Sequence, residues 1–194
     1  DGTLVVDGSG SINTTSGIVV SSGGTFDYNS STALTAGLSF SGTGNTLTGS
    51  GTINTAVTIT DGNILSVGNS PGTMNFASGL TLDAGSLTIA EIDGTAGAGV
   101  AGGHDFHNVT GALTYGGALT LDIGTTFAVG SYTFDLFDFA SETGTFSSMV
   151  LADQYSGSLL DGDLDGIWDL TDGNDTWQFT ESNGILILTV VPEP

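Results

Sequence analysis

The sequence predicts an all-β protein: a parallel β-solenoid, or right-handed β-helix, with a C-terminal β region. Three observations carry that expectation. Apolar residues alternate along short segments, so that Val57 and Ile59 share a face, as do Leu80 and Leu82, Leu87 and Ile89, and Leu119, Leu121 and Ile123. No stretch sustains a helical period, and β-branched Thr, Val and Ile dominate the apolar runs. The connections are loose Ser/Thr/Gly runs, such as SSGGT at 21–25 and SGTGNTLTGSGT at 41–52, rather than the two-residue Asn-Gly or Asp-Gly turns of hairpin-built sandwiches. Small residues of that kind suit the corners of stacked coils.

Taken in order, TLVV at 3–6 enters a strand at once, with neither a capping helix nor a proline before it. GIVV at 17–20, TFDY at 25–28 and LSF at 38–40 follow, each ended by Gly, Asn, Asp or Ser, which turn the chain. AVTIT at 56–60, LTLD at 80–83, SLTIAEI at 86–92 and ALTLDI at 118–123 repeat the two-residue alternation, and SYTFDLFDF at 131–139 adds aromatic bulk. At roughly 20 residues per coil and ~4.8 Å between coils, about six coils stack into a rod ~30 Å long. The expected division is coils over 1–124 and a C-terminal β region over 125–194, the latter with an Asp-rich loop at 152–176 and a terminal apolar strand at 184–191. That strand, GILILTVV, is apolar in both phases. Ile185 and Ile187 lie on one side and Leu186, Leu188 and Val190 on the other. It reads as a central strand of the subunit's own sheet, or as a contact strand that adds to the next subunit.

Charge excludes more functions than any motif selects. Of 194 residues none is Lys or Arg and 21 are Asp or Glu, a formal net charge of −21, yet mean hydropathy is +0.23. The chain is apolar enough to fold, but nucleic acid and anionic membrane surfaces are excluded as partners. Lysine Schiff-base chemistry is unavailable, and with no Cys so are disulfides and thiolate metal sites. No run of about 20 apolar residues spans a membrane. No carboxylate can form an ordinary salt bridge to a basic side chain, so repulsion is relieved by solvent, salt or divalent cations.

The strongest chemical constellation is DGDLDGIWDLTD at 161–172. Asp161, Asp163 and Asp165 alternate, Gly166 permits a sharp turn, Ile167 offers a carbonyl, and Asp169 and Asp172 stand where a Ca²⁺ loop places its later ligands. The flanks are not helical and the last ligand is Asp rather than Glu, so this is not an EF-hand; a solvated Asp-Gly turn is the plain alternative. His104, Asp105 and His107 offer a weaker metal set, because positions three apart on a strand face opposite sides. No catalytic residues are assigned. Carboxylate pairs such as Asp83 with Glu91, or Asp122 with Asp135, do not differ from surface acids. Tyr28, Tyr115, Tyr132, Tyr155, Trp168 and Trp177 would stack on sugars if exposed, although scattered aromatics usually pack a core.

GSGTI at 49–53 and ILSVGNSPGTMNFASGLTLDAGSLTIAEIDG at 64–94 resemble the repeats of autotransporter-type β-helix passengers, where a Gly-Asn-Ser-Pro-Gly-Thr turn separates two coils. HDFHNVTGALTYGGALTLDI at 104–123 resembles the coil that follows, TFDYNSSTAL at 25–34 a related repeat, and VVPEP at 190–194 the start of a PEP-CTERM sorting signal. The resemblance implies secretion from a Gram-negative-type bacterium and action of an exosortase at the C-terminal signal. The hydrophobic helix and basic cluster that follow this signal in the family are absent, so the sequence is either cut at that point or processed near Pro194; the lack of a signal peptide at Asp1 as well leads us to expect processing. The functional expectation is a secreted structural protein at the cell surface, a head-to-tail homopolymer stabilised by Ca²⁺. A surface adhesin or polysaccharide-binding module is the alternative.

Overall fold

The computed structural model describes residues 2–68 and 71–192. Asn69 and Ser70 of the Gly-Asn-Ser-Pro-Gly-Thr turn, and Glu193 and Pro194 of the terminal motif, lie outside the described residues. The protein is all-β, and no described helix is long and apolar enough to cross a membrane. Its sheets are mixed.

The largest sheet orders β1 (Thr3–Gly8), β3 (Thr25–Ser30), β5 (Thr46–Gly49), β8 (Ile64–Val67), β11 (Leu87–Ile92), β13 (Ala118–Ile123), β16 (Ser148–Asp153) and β17 (Gly157–Leu159). All pairs are parallel up to β16, and β17 returns antiparallel. Thr3 pairs with Thr25, Thr25 with Thr46, Thr46 with Ile64, and Ile64 with Leu87, so each strand answers one 22, 21, 18 or 23 residues earlier. The next two steps, Leu87 to Ala118 and Ala118 to Ser148, are longer.

A second parallel pair joins β2 (Ile18–Ser21) to β4 (Leu38–Ser41). A third sheet, also parallel, orders β6 (Thr52–Ile53), β9 (Thr73–Phe76), β12 (Phe106–Tyr115), β10 (Leu80–Leu82) and β7 (Val57–Ile59), with β15 (Phe137–Gly144) on the far side of β12. The core lies between these sheets. In register, Phe26, Leu47, Leu65, Thr88, Leu119 and Met149 form one inward column. Each large apolar member, at most 1 % exposed, contributes about 1.5–3 kcal/mol of burial. The alternation over 86–92 is as the sequence indicates, but the face is the opposite one. Leu87 and Ile89 are half-buried on the outside, and Thr88, Ala90 and Ile92 point inward, because parallel register locks Thr88 between Leu65 and Leu119.

The corners are held by side-chain amides. Asn45 and Asn63 are fully buried, and the Asn63 Oδ1 accepts from both the Asn45 backbone N–H (3.0 Å) and the Asn45 Nδ2 (2.8 Å). Gly49 has φ of +112°, and a Cβ there would meet the Tyr28 carbonyl oxygen at 2.4 Å, so only glycine lets adjacent strands approach at that corner.

The fourth sheet is antiparallel, in the order β14 (Gly130–Asp135), β20 (Ile185–Val190), β19 (Asp175–Thr180) and β18 (Ile167–Asp172). The apolar run at 184–191 is thus a central strand, with β14 on one side and β19 on the other. Its backbone groups are occupied on both edges, which removes it as the strand that pairs with another subunit. Phe134, Trp168, Trp177, Phe179, Leu186 and Leu188 bury the inner face of this sheet. Phe179 meets Phe137 and Phe146 with ring centroids 6.1 and 6.2 Å apart, so the antiparallel sheet closes the core of the parallel ones. An isolated antiparallel bridge, Leu160 to Asp169, links β17 to β18, with N···O distances of 2.9 and 3.0 Å. Hydrogen bonding therefore runs from β1 through to β14.

Candidate functional site

The Asp-rich loop lies between β17 and β18. Leu164 and Gly166 take positive φ (62° and 81°), which wraps the chain so that Asp161, Asp163 and Asp165 each bring a carboxylate oxygen within 4.8 Å of the others. The wrap is fixed from within. The Asp161 Oδ1 accepts from the Asp165 N–H (3.1 Å) and its Oδ2 from the Gly166 N–H (3.0 Å), while the Asp165 Oδ1 accepts from the Ile167 N–H (3.0 Å). Three of the six expected ligands therefore converge. Asp169 and Asp172 are not in that cluster, because β18 begins at Ile167 and extends the chain. The Asp169 Oδ1 accepts from the Gln178 Nε2 (2.9 Å), and Asp172 sits opposite Asp175 at the end of the β18–β19 hairpin.

A pocket of about 340 Å³ beside the loop is lined by Asp161, Asp165, Glu142 and Glu181. Glu181 was not a sequence candidate. It is 4 % exposed, and its Oε1 accepts from the Phe146 N–H (2.8 Å), the Thr145 hydroxyl (2.9 Å) and the Trp168 Nε1 (3.0 Å). Burial pushes its carboxyl above the usual range, the three donors oppose that, and nearby Asp161 adds to the rise. Glu181 anchors the base of the loop to the core.

The His104, Asp105 and His107 set does not converge on a common point. The imidazoles bind successive carbonyls at the crossover from β14 to β15: His104 Nε2 lies 3.2 Å from the Asp135 oxygen and His107 Nδ1 3.0 Å from the Leu136 oxygen. His107 also stacks on Phe137 at 4.4 Å. Burial lowers both histidines, His107 to about 4, so both stand neutral near pH 7. The Asp105 carboxylate turns elsewhere, accepting from the Gly72 N–H (2.8 Å) and the Glu91 N–H (2.9 Å). It ties the Pro71–Gly72 turn to β11. Burial pushes it up to about 7, against the pull of those two donors, with Glu91 and Asp93 adding to the rise.

Tyr28, Tyr115, Trp168 and Trp177 are buried, and Tyr132 and Tyr155 pack against Phe127 and Trp177, so these aromatics present no row of open rings to a sugar. The chain matches no protein-family model, no curated protein and no solved structure. The likeness to passenger repeats and to the PEP-CTERM signal stands on the motifs quoted above.

Proposed function

We propose that this chain is a non-catalytic structural protein, secreted to the cell surface, whose parallel strands coil as a β-solenoid and whose copies add head to tail into a filament or matrix. One observation carries the reading. The parallel ladder ends on β1 with no strand beyond it among the described residues, and Leu4, Val5 and Val19 at that end are 48 %, 51 % and 64 % exposed. Natural edge strands are protected by Pro, bulges or inward charge, and β1 has none of these: its one charge, Asp7, is exposed on the face opposite Val6. An unprotected edge of that kind is a template for strand addition. Negative-stain microscopy of the full chain tests this directly: long uniform filaments are expected, and separate rods at all concentrations and salt conditions would refute it.

In this reading Ca²⁺ stiffens the loop by binding Asp161, Asp163 and Asp165, an all-oxygen donor set suited to a hard cation. Titration calorimetry of the full chain should give a dissociation constant of ~0.1–1 mM, the range of extracellular Ca²⁺ modules. The heat should vanish in Asp163→Asn/Asp165→Asn; no heat from the unmodified chain at millimolar Ca²⁺ rules the site out.

A further inference from the structure

We propose that the surface around the Asp-rich loop docks a basic, leucine-bearing segment of another protein, with its apolar side chain in one groove and its Lys or Arg in the acidic pocket beside it. This is independent of the filament reading. Two cavities share a wall made by Thr145, Asp161 and Leu164. One is the pocket of about 340 Å³ that holds Glu142, Asp165 and Glu181. The other, about 400 Å³, has buried Phe146 and Trp168 as its floor and Leu160 and Leu164 at its rim.

The rim is the most exposed apolar surface of the molecule. Leu160 is 68 % exposed and Leu164 86 %, above every other large apolar side chain among the described residues. A lone exposed leucine is ordinary, but two beside a groove floored by Phe146 and Trp168 make a continuous apolar patch, the usual mark of an interaction surface. Leu164 has left-handed backbone, φ of 62°, which is uncommon for a bulky side chain. The Asp165 and Gly166 N–H groups, both donating to Asp161, hold the turn that presents it.

Charge decides the occupant. A second copy has no Lys or Arg, and its two histidines are buried, so it brings no cation to the acidic side. Two carboxylates there each keep an unused oxygen. All three donors to Glu181 go to its Oε1, whereas its Oε2 accepts no hydrogen bond among the described residues and lies 3.3 Å from where a Cβ on Gly166 would stand, on the wall of the pocket. Asp165 gives only its Oδ1 to the Ile167 N–H. A guanidinium or ammonium supplies the full positive charge that backbone donors lack, through charge-assisted bonds to these oxygens. The same acids repel nucleic acid and anionic lipid. The groove at Leu4 and Val19 is also apolar, but no charged residue lines it, so it has no second element to read.

The probe is the capped tetrapeptide acetyl-Arg-Leu-Leu-Arg-amide, titrated into the full isotope-labelled chain and followed by amide chemical shifts. The buffer is ~0.15 M NaCl, where exposed charges more than ~8 Å apart are screened. Divalent cations are left out, because Asp161 and Asp165 also belong to the candidate Ca²⁺ cluster. Saturable shifts are expected at residues 145–147, 160–168 and 181. Replacing the leucines of the peptide by serine, or its arginines by glutamate, should each weaken binding at least ~10-fold. Leu160→Ser/Leu164→Ser should weaken the original peptide by a similar factor and leave the other resonances in place, since both leucines lie outside the core. Glu142→Gln, a change away from the loop, should weaken it as well. Equal binding of the serine peptide, or shifts spread over distant acids such as Asp27 and Asp122, would show general attraction to an acidic chain and overturn the proposal. Loop shifts that grow with protein concentration in the absence of peptide would put a second copy in the groove, which overturns it too, as does the absence of any shift up to ~10 mM peptide.

Discussion

Truncating Asn63 to alanine tests whether side-chain amides hold the corners of the parallel stack. Asn63 is fully buried, and its Oδ1 is the acceptor for both the backbone N–H and the Nδ2 of Asn45. Its own Nδ2 donates to the Thr60 hydroxyl at 2.8 Å and the Gly42 carbonyl at 3.0 Å. After Asn63→Ala the Asn45 N–H has no acceptor, whereas the Asn45 Nδ2 keeps the carbonyls of Ser41 and Gly42 at 3.2 and 3.4 Å. One buried donor left unpaired costs about 1–3 kcal/mol, and the lost bonds to Thr60 and Gly42 add about 1 kcal/mol, for a total of roughly 2–4 kcal/mol. At ~2–4 °C per kcal/mol for a chain of this size, Tm falls by about 10 °C. Asn45→Ala should cost less, because the Gly24 N–H it serves also reaches the Ser21 carbonyl at 3.1 Å. Urea denaturation of both variants and the double variant measures the terms, with the double variant falling short of additivity by about 1 kcal/mol. A loss below about 0.5 kcal/mol for Asn63→Ala, with an unchanged urea slope, would show that the amide column does not hold the stack.

Stability against pH should reveal two buried groups with opposite slopes. His107 has a folded-state value near 4 against 6.5 unfolded, so the unfolded chain takes up protons first and stability falls as pH drops through that window, by about 3 kcal/mol. Asp105 has a folded-state value near 7 against 3.8, so its contribution is fully present below 3.8 and is lost as pH rises toward 7. The unmodified chain should have a shallow profile over pH 4–7, and Asp105→Asn a steep one rising with pH; parallel profiles would contradict this. Gly49→Ala should cost ~3 kcal/mol or more from backbone overlap with Tyr28, and Gly42→Ala, positive in φ but in open space, ~1 kcal/mol; equal thermal shifts would be inconsistent with the close approach at Gly49. Glu181→Ala strands the donors of Phe146, Thr145 and Trp168 and should red-shift Trp168 emission, whereas Glu181→Gln retains an acceptor oxygen and should shift less.

Much of the all-β character was legible because alternation is a local property of the chain. Val57 with Ile59 and Leu80 with Leu82 point inward as a two-residue period requires. Alternation does not say which face is inward, and at 86–92 Leu87 and Ile89 lie outside, because Thr88 is held by its neighbours in adjacent strands. Likewise an apolar run such as 184–191 shows that both faces are covered, but its strand partners, β14 and β19, come from elsewhere in the sequence. In the Asp-rich loop, spacing located the three residues that wrap together. It overextended the set because β18 pairs with β19 from Ile167 onward and carries Asp169 and Asp172 away. Glu181 had no signal in sequence: a lone acid becomes an anchor only when Thr145, Phe146 and Trp168 close around it.

The missing lysines and arginines explain how the remaining carboxylates are used. In most proteins a buried or clustered acid is matched by a cation, whereas here neutral donors take that place. Backbone N–H groups serve Asp61, Asp105, Asp161, Asp165, Asp175 and Glu181, and side-chain amides serve Asp27 and Asp169. A backbone N–H donated to a carboxylate is a charge-assisted bond, stronger than a neutral pair, but it brings only partial positive charge and cannot cancel a full negative one. Acids therefore have to stay dispersed or face solvent. The Asp161, Asp163 and Asp165 cluster departs from that dispersion, with carboxylate oxygens within 4.8 Å and only N–H donors to offset them. Repulsion there falls with added monovalent salt by screening alone, whereas a divalent ion removes it by coordination. Melting curves in matched ionic strengths of NaCl and CaCl₂ separate the two: a larger Tm rise in CaCl₂ that disappears in Asp163→Asn/Asp165→Asn locates the missing positive charge at this loop, and equal rises place it nowhere in particular.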